Sequence, residues 1–241
     1  MAVEPIVVVV TCEHAGNEVP TEWSHLFTSS EAKNALDSHR GWDIGALEIA
    51  GDLARRLCAP LMAWQVTRLL VEPNRSRDAP DLFSSYSRGL SDTDKQAIVE
   101  RYYRPYRMSV EQLITSLIAT GHRVVHLSVH SCTDELHGVT RALEVGLLFD
   151  PARRFEVEFV EAVRNWFLEN ASQYRVRFNE PYLGTDDGLT SFLRTCFPER
   201  AYAGIELEYR QGAIADRTAA AALSQATAAA VDRSCRLVEP V

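Results

Sequence analysis

Near the start of the chain, Ile6-Val7-Val8-Val9-Val10 form an apolar run of β-branched residues with no polar break. Such a run predicts a strand covered on both faces, as at the centre of a parallel sheet. From His122 to Cys132 the pattern is alternation instead, with Val125, Leu127 and Val129 on one face and His126, Ser128 and His130 on the other. Around Gly204 to Arg210 a third strand sets Ile205, Leu207 and Tyr209 against Glu206, Glu208 and Arg210. Shorter strands are predicted at Met62 to Val66, Leu143 to Phe149 and Arg175 to Phe178. Between them the period lengthens to that of a helix. Ser29-Ser30-Glu31 is a capping pattern whose helix Gly41 would interrupt, and Ile44, Leu47, Ala50 and Leu53 repeat at helical spacing up to Leu57. Ser91 to Ala119 reads as helix divided near Pro105, Glu156 to Asn170 as an amphipathic helix, and Arg217 to Arg236 as an alanine-rich closing helix. Strands alternating with helices predict an α/β sheet flanked by helices on both faces, and no composition break divides residues 1–241 into more than one domain.

Composition narrows the function classes. A formal net charge of -8 argues against non-specific nucleic-acid binding, while leaving room for arginines that govern one pocket. Five scattered cysteines with no CxxC suggest reduced thiols in a cytoplasmic protein. Neither a signal peptide nor an apolar run long enough to span a membrane is expected.

The chemistry gathers where the strands end. After the first strand come Glu13, His14 and Gly16, and the second informative strand finishes on His130-Ser131-Cys132. Ligands of open α/β sheets bind at the carboxyl ends of the strands. Two strands each ending in histidine offer two of the three protein ligands of a catalytic zinc site. A glutamate on the third strand, Glu206 or Glu208, is then a candidate general base for a metal-activated water. His126 shares a face with His130 but reads as a buried, hydrogen-bonded side chain.

These segments resemble the N-formylglutamate amidohydrolase family, in its N-formylglutamate amidohydrolase-like branch. The resemblance runs through Cys12-Glu13-His14-Ala15-Gly16-Asn17, Gly41-Trp42-Asp43-Ile44-Gly45-Ala46, Pro73-Asn74-Arg75, His130-Ser131, Gly146-Leu147-Leu148-Phe149, Asn179-Glu180-Pro181-Tyr182 and Glu208-Tyr209-Arg210. It implies a three-layer α/β/α fold with a mostly parallel mixed sheet, like that of the zinc carboxypeptidases and aspartoacylase. It also implies one divalent ion, Zn2+, on His14 and His130. The carboxypeptidase pattern expects a glutamate where Asn17 stands; the resemblance, which places a metal-competent side chain after Trp42, implies Asp43 as the third ligand, with Glu13 and Glu18 as alternatives. Glu208 matches the catalytic glutamate, with Glu206 as runner-up. Asn74 and Arg75 match a pair that holds a substrate carboxylate, for which the guanidinium's two parallel hydrogen bonds are suited. Arg210 is expected to orient Glu208 or bind a second carboxylate, and the loop carrying Tyr182, Gly184 and Thr190 to close over the substrate.

The implied activity is hydrolysis of the amide of a small N-acyl amino acid, such as N-formyl-L-glutamate, to formate and glutamate. The alternatives are a carboxypeptidase-like deacylase or peptidase, and a non-catalytic ligand-binding protein on the same scaffold. The only partner expected is a small-molecule carboxylate, with no nucleic acid and no membrane.

Overall fold

The computed structural model describes residues 5–136 and 138–238. The apolar opening run forms β1 (Ile6–Cys12), followed by α1 (Ser30–Leu36), α2 (Ala46–Leu57) and a short β2 (Leu61–Ala63). Next come α3 (Asp92–Ile98), α4 (Arg104–Ala119), β3 (Arg123–Cys132) and a small hairpin of β4 (Glu135–Leu136) and β5 (Val139–Thr140). The chain continues through β6 (Val145–Leu148), α5 (Arg154–Asn170), β7 (Val176–Phe178), α6 (Leu189–Cys196), β8 (Tyr202–Arg210), α7 (Gln211–Ile214) and α8 (Arg217–Leu237). Six strands form one sheet in the order β2-β1-β3-β8-β6-β7. All neighbours are parallel except β6 and β8.

Alternation along the strands sorts side chains into two packed layers. Val10, Val125, Leu127, Val129, Ile205, Leu207 and Tyr209 face a core closed by α2, α5 and α8. Val9, Val124 and Tyr202 face the other side, where Val110 and Ile114 of α4 and Leu189 and Leu193 of α6 cover them. The result is three layers, helix on sheet on helix, with β1, β3 and β8 adjacent at the centre. Their carboxyl ends all open on one edge, which is what brings residues distant in sequence to one place. No described helix is long and apolar enough to cross a membrane.

Local departures from the expected elements have physical causes. The helix capped by Ser29, whose hydroxyl accepts from the Ala32 amide at 3.1 Å, stops at Leu36. Gly41 lies beyond it, where the chain folds back so tightly that a Cβ would overlap the Leu36 carbonyl. Pro105 does not divide its helix. A π-helical stretch, Val99–Tyr103, links α3 to α4 and leaves Pro105 in the first turn of α4, where its missing N–H costs little. The strand expected at Met62 to Val66 is three residues long, because Trp64 and Val66 turn to pack with Leu70, Leu82 and Ile98. Helix α6 lay hidden in a turn-rich stretch. It has one apolar triplet, Leu189, Phe192 and Leu193, too little to reveal a period.

Candidate active site

His14 follows β1, His130 sits near the end of β3, and Asp43 comes from the turn before α2. Backbone contacts fix the approach: the Asp43 amide donates to the His14 carbonyl at 2.9 Å, and the Ala46 amide to the Asp43 carbonyl at 3.1 Å. All three side chains are buried. Asp43 Oδ2 lies 3.2 Å from His14 Nδ1 and 2.9 Å from His130 Nδ1, and the two Nδ1 atoms are 3.2 Å apart. Three ligand atoms about a tetrahedral ion at roughly 2.0–2.1 Å stand about 3.3 Å from one another. The triangle therefore fits a four-coordinate metal ion, and these three residues could hold one.

The far edge of each imidazole strengthens that fit. His14 Nε2 meets Glu72 Oε1 at 2.5 Å, and His130 Nε2 meets Ser128 Oγ at 2.9 Å, with Glu13 Oε2 at 3.3 Å behind it. An Nε2–H that donates to a carboxylate, or to a serine hydroxyl that itself donates to one, leaves the Nδ1 lone pair facing the cluster, the tautomer a metal ligand needs. Both carboxylates are themselves held. Glu72 accepts from Arg68 at 2.7 Å and from the Asn74 amide at 3.0 Å; Glu13 accepts from Ser128 Oγ at 2.5 Å and from the Tyr106 hydroxyl at 3.0 Å.

Electrostatics follow from this crowding. Burial alone would raise the Glu13 carboxyl, but the hydrogen bond and charge of His130 bring it down to about 2. Burial also opposes charge on Glu72 and Asp43, yet Arg68 and His14 keep the first ionised, and the two histidines the second. Burial disfavours the His130 imidazolium, but Asp43 and Glu13 outweigh it and hold that pKa well above the ordinary value. For His14, burial and Arg68 are likewise overcome, by Glu72 and Asp43. Paired anions around two imidazoles make a site that calls for positive charge.

A cavity of about 240 Å³, the size of a small molecule, opens over the cluster. Glu208 lines it, pairs in register with His130 across β3 and β8, and has one oxygen, Oε2, without a hydrogen-bond partner among the described residues. Burial, with the charges of Asp43 and Glu206, pushes its carboxyl up to about 7. Glu206 also reaches the cavity but accepts from Thr190 Oγ1 at 2.7 Å. Where β6 passes this strand, Gly146 has no room for a Cβ, which would strike the Glu180 carbonyl and crowd Glu208. The loop after β7 is thereby held against the site.

Asn74 and Arg75 line the same cavity, Asn74 Oδ1 accepting the Leu189 amide at 2.7 Å and Arg75 Nη1 donating to the Asp187 carbonyl at 2.9 Å. Tyr182 lines it as well. Gly184 packs behind on Phe149, and Thr190 reaches only Glu206. Arg210 is not brought to the cavity. Its guanidinium is taken up by Asp134, Glu144 and the Leu143 carbonyl. Glu18 is exposed and bridges by its backbone to Val66. Asn17 donates to the Leu36 carbonyl and Asp37, away from the cluster. His126 is buried between Thr11 Oγ1 at 2.7 Å and the Tyr202 hydroxyl at 2.8 Å.

The backing position of Glu13 was not foreseen from sequence, nor was any place for Glu72, Arg68 or Arg141. For Glu72 one signal existed, a single carboxylate closing the apolar Leu69-Leu70-Val71 run. No curated protein sequence matches the chain. Among solved structures, a gene product from Agrobacterium tumefaciens is similar at 27% identity and TM-score 0.82, over 95% of this chain and 90% of that one. The N-formylglutamate amidohydrolase from Ralstonia eutropha shares the fold, with TM-score 0.75 at 19% identity over 98% of this chain and 94% of that one. The family model for N-formylglutamate amidohydrolase matches residues 6–215, which span β1, both histidines, Asp43 and Glu208. Clustered imidazoles, an unpartnered glutamate and that match lead to one assignment: the chain belongs to the N-formylglutamate amidohydrolase family, as a hydrolase of the amidohydrolase type.

Proposed function

We propose that this chain is a metal-dependent hydrolase that cleaves the amide of a small N-acyl amino acid, with N-formyl-L-glutamate as substrate. The observation that carries the reading is the triangle of His14 Nδ1, Asp43 Oδ2 and His130 Nδ1, with edges of 2.9–3.2 Å and each histidine braced by a buried carboxylate. Those three residues would hold one Zn2+ ion. When bound, it would polarise the acyl carbonyl and supply a water whose pKa is near ~7.

The chain's own residues do the rest. Glu208, which lines the cavity, takes a proton from the attacking water. It returns that proton to the departing nitrogen as the C–N bond breaks, giving formate and glutamate. Arg75, beside Asn74, holds the α-carboxylate, so that the amide meets the water in one orientation. Five free cysteines suit a reducing cytoplasmic compartment.

The test is purification, elemental analysis and assay of N-formylglutamate before and after chelation. About one zinc per chain and turnover that chelation abolishes and zinc restores support the reading. Cleavage of C-terminal peptide residues but no N-formyl amino acid would replace it with a peptidase. Metal binding without hydrolysis of either would leave a binding protein.

A further inference from the structure

Three arginines line the cavity, Arg68, Arg75 and Arg141, and their partners differ. Arg68 is neutralised by Glu72 and Asp43. Arg75 pairs with Asp81 and donates to the carbonyls of Asn74 and Asp187. Arg141 has no carboxylate within ion-pair distance among the described residues. Its Nη2 donates to the Tyr182 hydroxyl at 2.8 Å, and the guanidinium carbon stands 5.2 Å from the centre of that ring. The Cys132 thiol lies beside it. The residue is only 8% exposed, and buried Nη1 has no hydrogen-bond partner among the described residues.

A cation so far out of water is costly unless an anion meets it. Asp134 lies close in the chain, but its carboxylate is engaged by Arg210 and the Gly212 amide, while its carbonyl accepts the Arg141 amide. The backbone of Arg141 is thus pinned, and its side chain lines the cavity. Tyr182 fixes the plane of that head through both a hydrogen bond and its ring face.

We propose that Arg141, steadied by Tyr182, is the residue that selects substrates with a second carboxylate, receiving the side-chain carboxylate of an N-acyl acidic amino acid. The assignment rests on the amidohydrolase reading and gives Arg141 the place that Arg210, held outside the cavity, does not fill. A site built around an unpaired guanidinium rejects an uncharged isostere strongly, because the cation is then left buried without a partner.

The zinc-loaded protein is assayed on N-formylglutamate, N-formylglutamine and N-formylnorleucine, and binding of glutarate, which has no amide to cleave, is measured by calorimetry. Arg141→Gln is expected to lower kcat/KM for N-formylglutamate by about 10–100-fold, mostly through KM, and to change the two uncharged substrates by less than about threefold. Arg141→Lys, which keeps the charge, should recover part of the loss, and Tyr182→Phe should give a smaller loss on the same substrate alone. An equal loss on all three substrates, or none, overturns the proposal. If the wild type hydrolyses none of them, the amidohydrolase reading fails, and glutarate decides for Arg141: binding that Arg141→Gln weakens and Arg141→Lys partly restores supports it. Glutarate binding that the variants leave unchanged, or that the wild type lacks, overturns it.

Discussion

His126 and His130 lie on the same face of β3, four residues apart, and both are buried, yet their surroundings make them chemical opposites. Among the described residues His126 has hydroxyls for hydrogen-bond partners, Thr11 and Tyr202, and burial pushes its pKa down to about 4, so that it is a neutral packing element. His130 stands two pairs further along the strand, where Asp43 and Glu13 reverse the effect of burial and Nδ1 turns toward the cavity. Residue type and strand face were the same; the carboxylates supplied by other segments separate a packing histidine from a candidate metal ligand.

Breaking the cavity histidine should have the largest effect. His130→Ala is expected to lose bound zinc and to lower turnover by about 10³-fold or more, since in the proposed reaction the ion would be the main electrophile. His126→Gln should retain its zinc and most of its turnover. Metal analysis beside steady-state kinetics reads both.

Replacing Glu208 separates metal binding from proton transfer. Glu208→Gln should keep zinc and lose about 10²–10⁴-fold in kcat. In the wild type, kcat/KM should climb with pH and level off once the carboxyl is ionised. The same group carries a stability cost. Its unfolded counterpart ionises near 4.5 while the folded one holds its proton to about 7. Stability is therefore lost as pH rises between those values, and the loss is complete above them. Thermal melts of the metal-free proteins should show a higher Tm for Glu208→Gln than for the wild type at pH 8 and no gain at pH 4.

Beneath the ligands, the carboxylate that braces His130 should matter less than the imidazole. Glu13→Gln is expected to weaken zinc affinity by about 10–100-fold, as outer-shell replacements do, and Glu72→Gln to act likewise through His14. Thr11→Val, the matching change behind His126, should leave affinity unaltered. Chelator competition would sharpen the contrast between carboxylate and hydroxyl.

The smallest effect belongs to His126 and runs with acid. Its unfolded form takes a proton near 6.5, whereas the folded form refuses one until about 4. Stability consequently falls as pH drops between those values. Melts of His126→Gln across that range should show a flatter dependence on pH, together with a pH-independent loss of about 1–3 kcal/mol from hydroxyls left unpaired.

How far all this could be read from the chain depends on whether a feature repeats. β1, β3 and β8 were legible because apolar runs and alternation recur over many residues, and their carboxyl ends located His14, His130 and Glu208. The packing of Val125, Leu127 and Val129 into one core was fixed by the same period. What stayed hidden depends on single contacts. Glu72 reaches His14 from 58 positions away, Arg141 faces the cavity because a two-strand hairpin returns it there, and Arg210 turns outward at the last residue of its strand. No periodic pattern marks such residues, and a resemblance in local motif placed Arg210 on the wrong side of that turn for the cavity. Asp43 was legible only as one of several acids, since its position depends on how the chain folds back after α1.

The central claim is that His14, Asp43 and His130 grip one ion through both Nδ1 atoms. Anomalous diffraction from zinc-loaded crystals at the zinc edge tests it most directly. The account predicts one strong peak about 2.0–2.2 Å from His14 Nδ1, His130 Nδ1 and an Asp43 carboxylate oxygen. A peak bound through Nε2, or on other residues with the triangle empty, would contradict it.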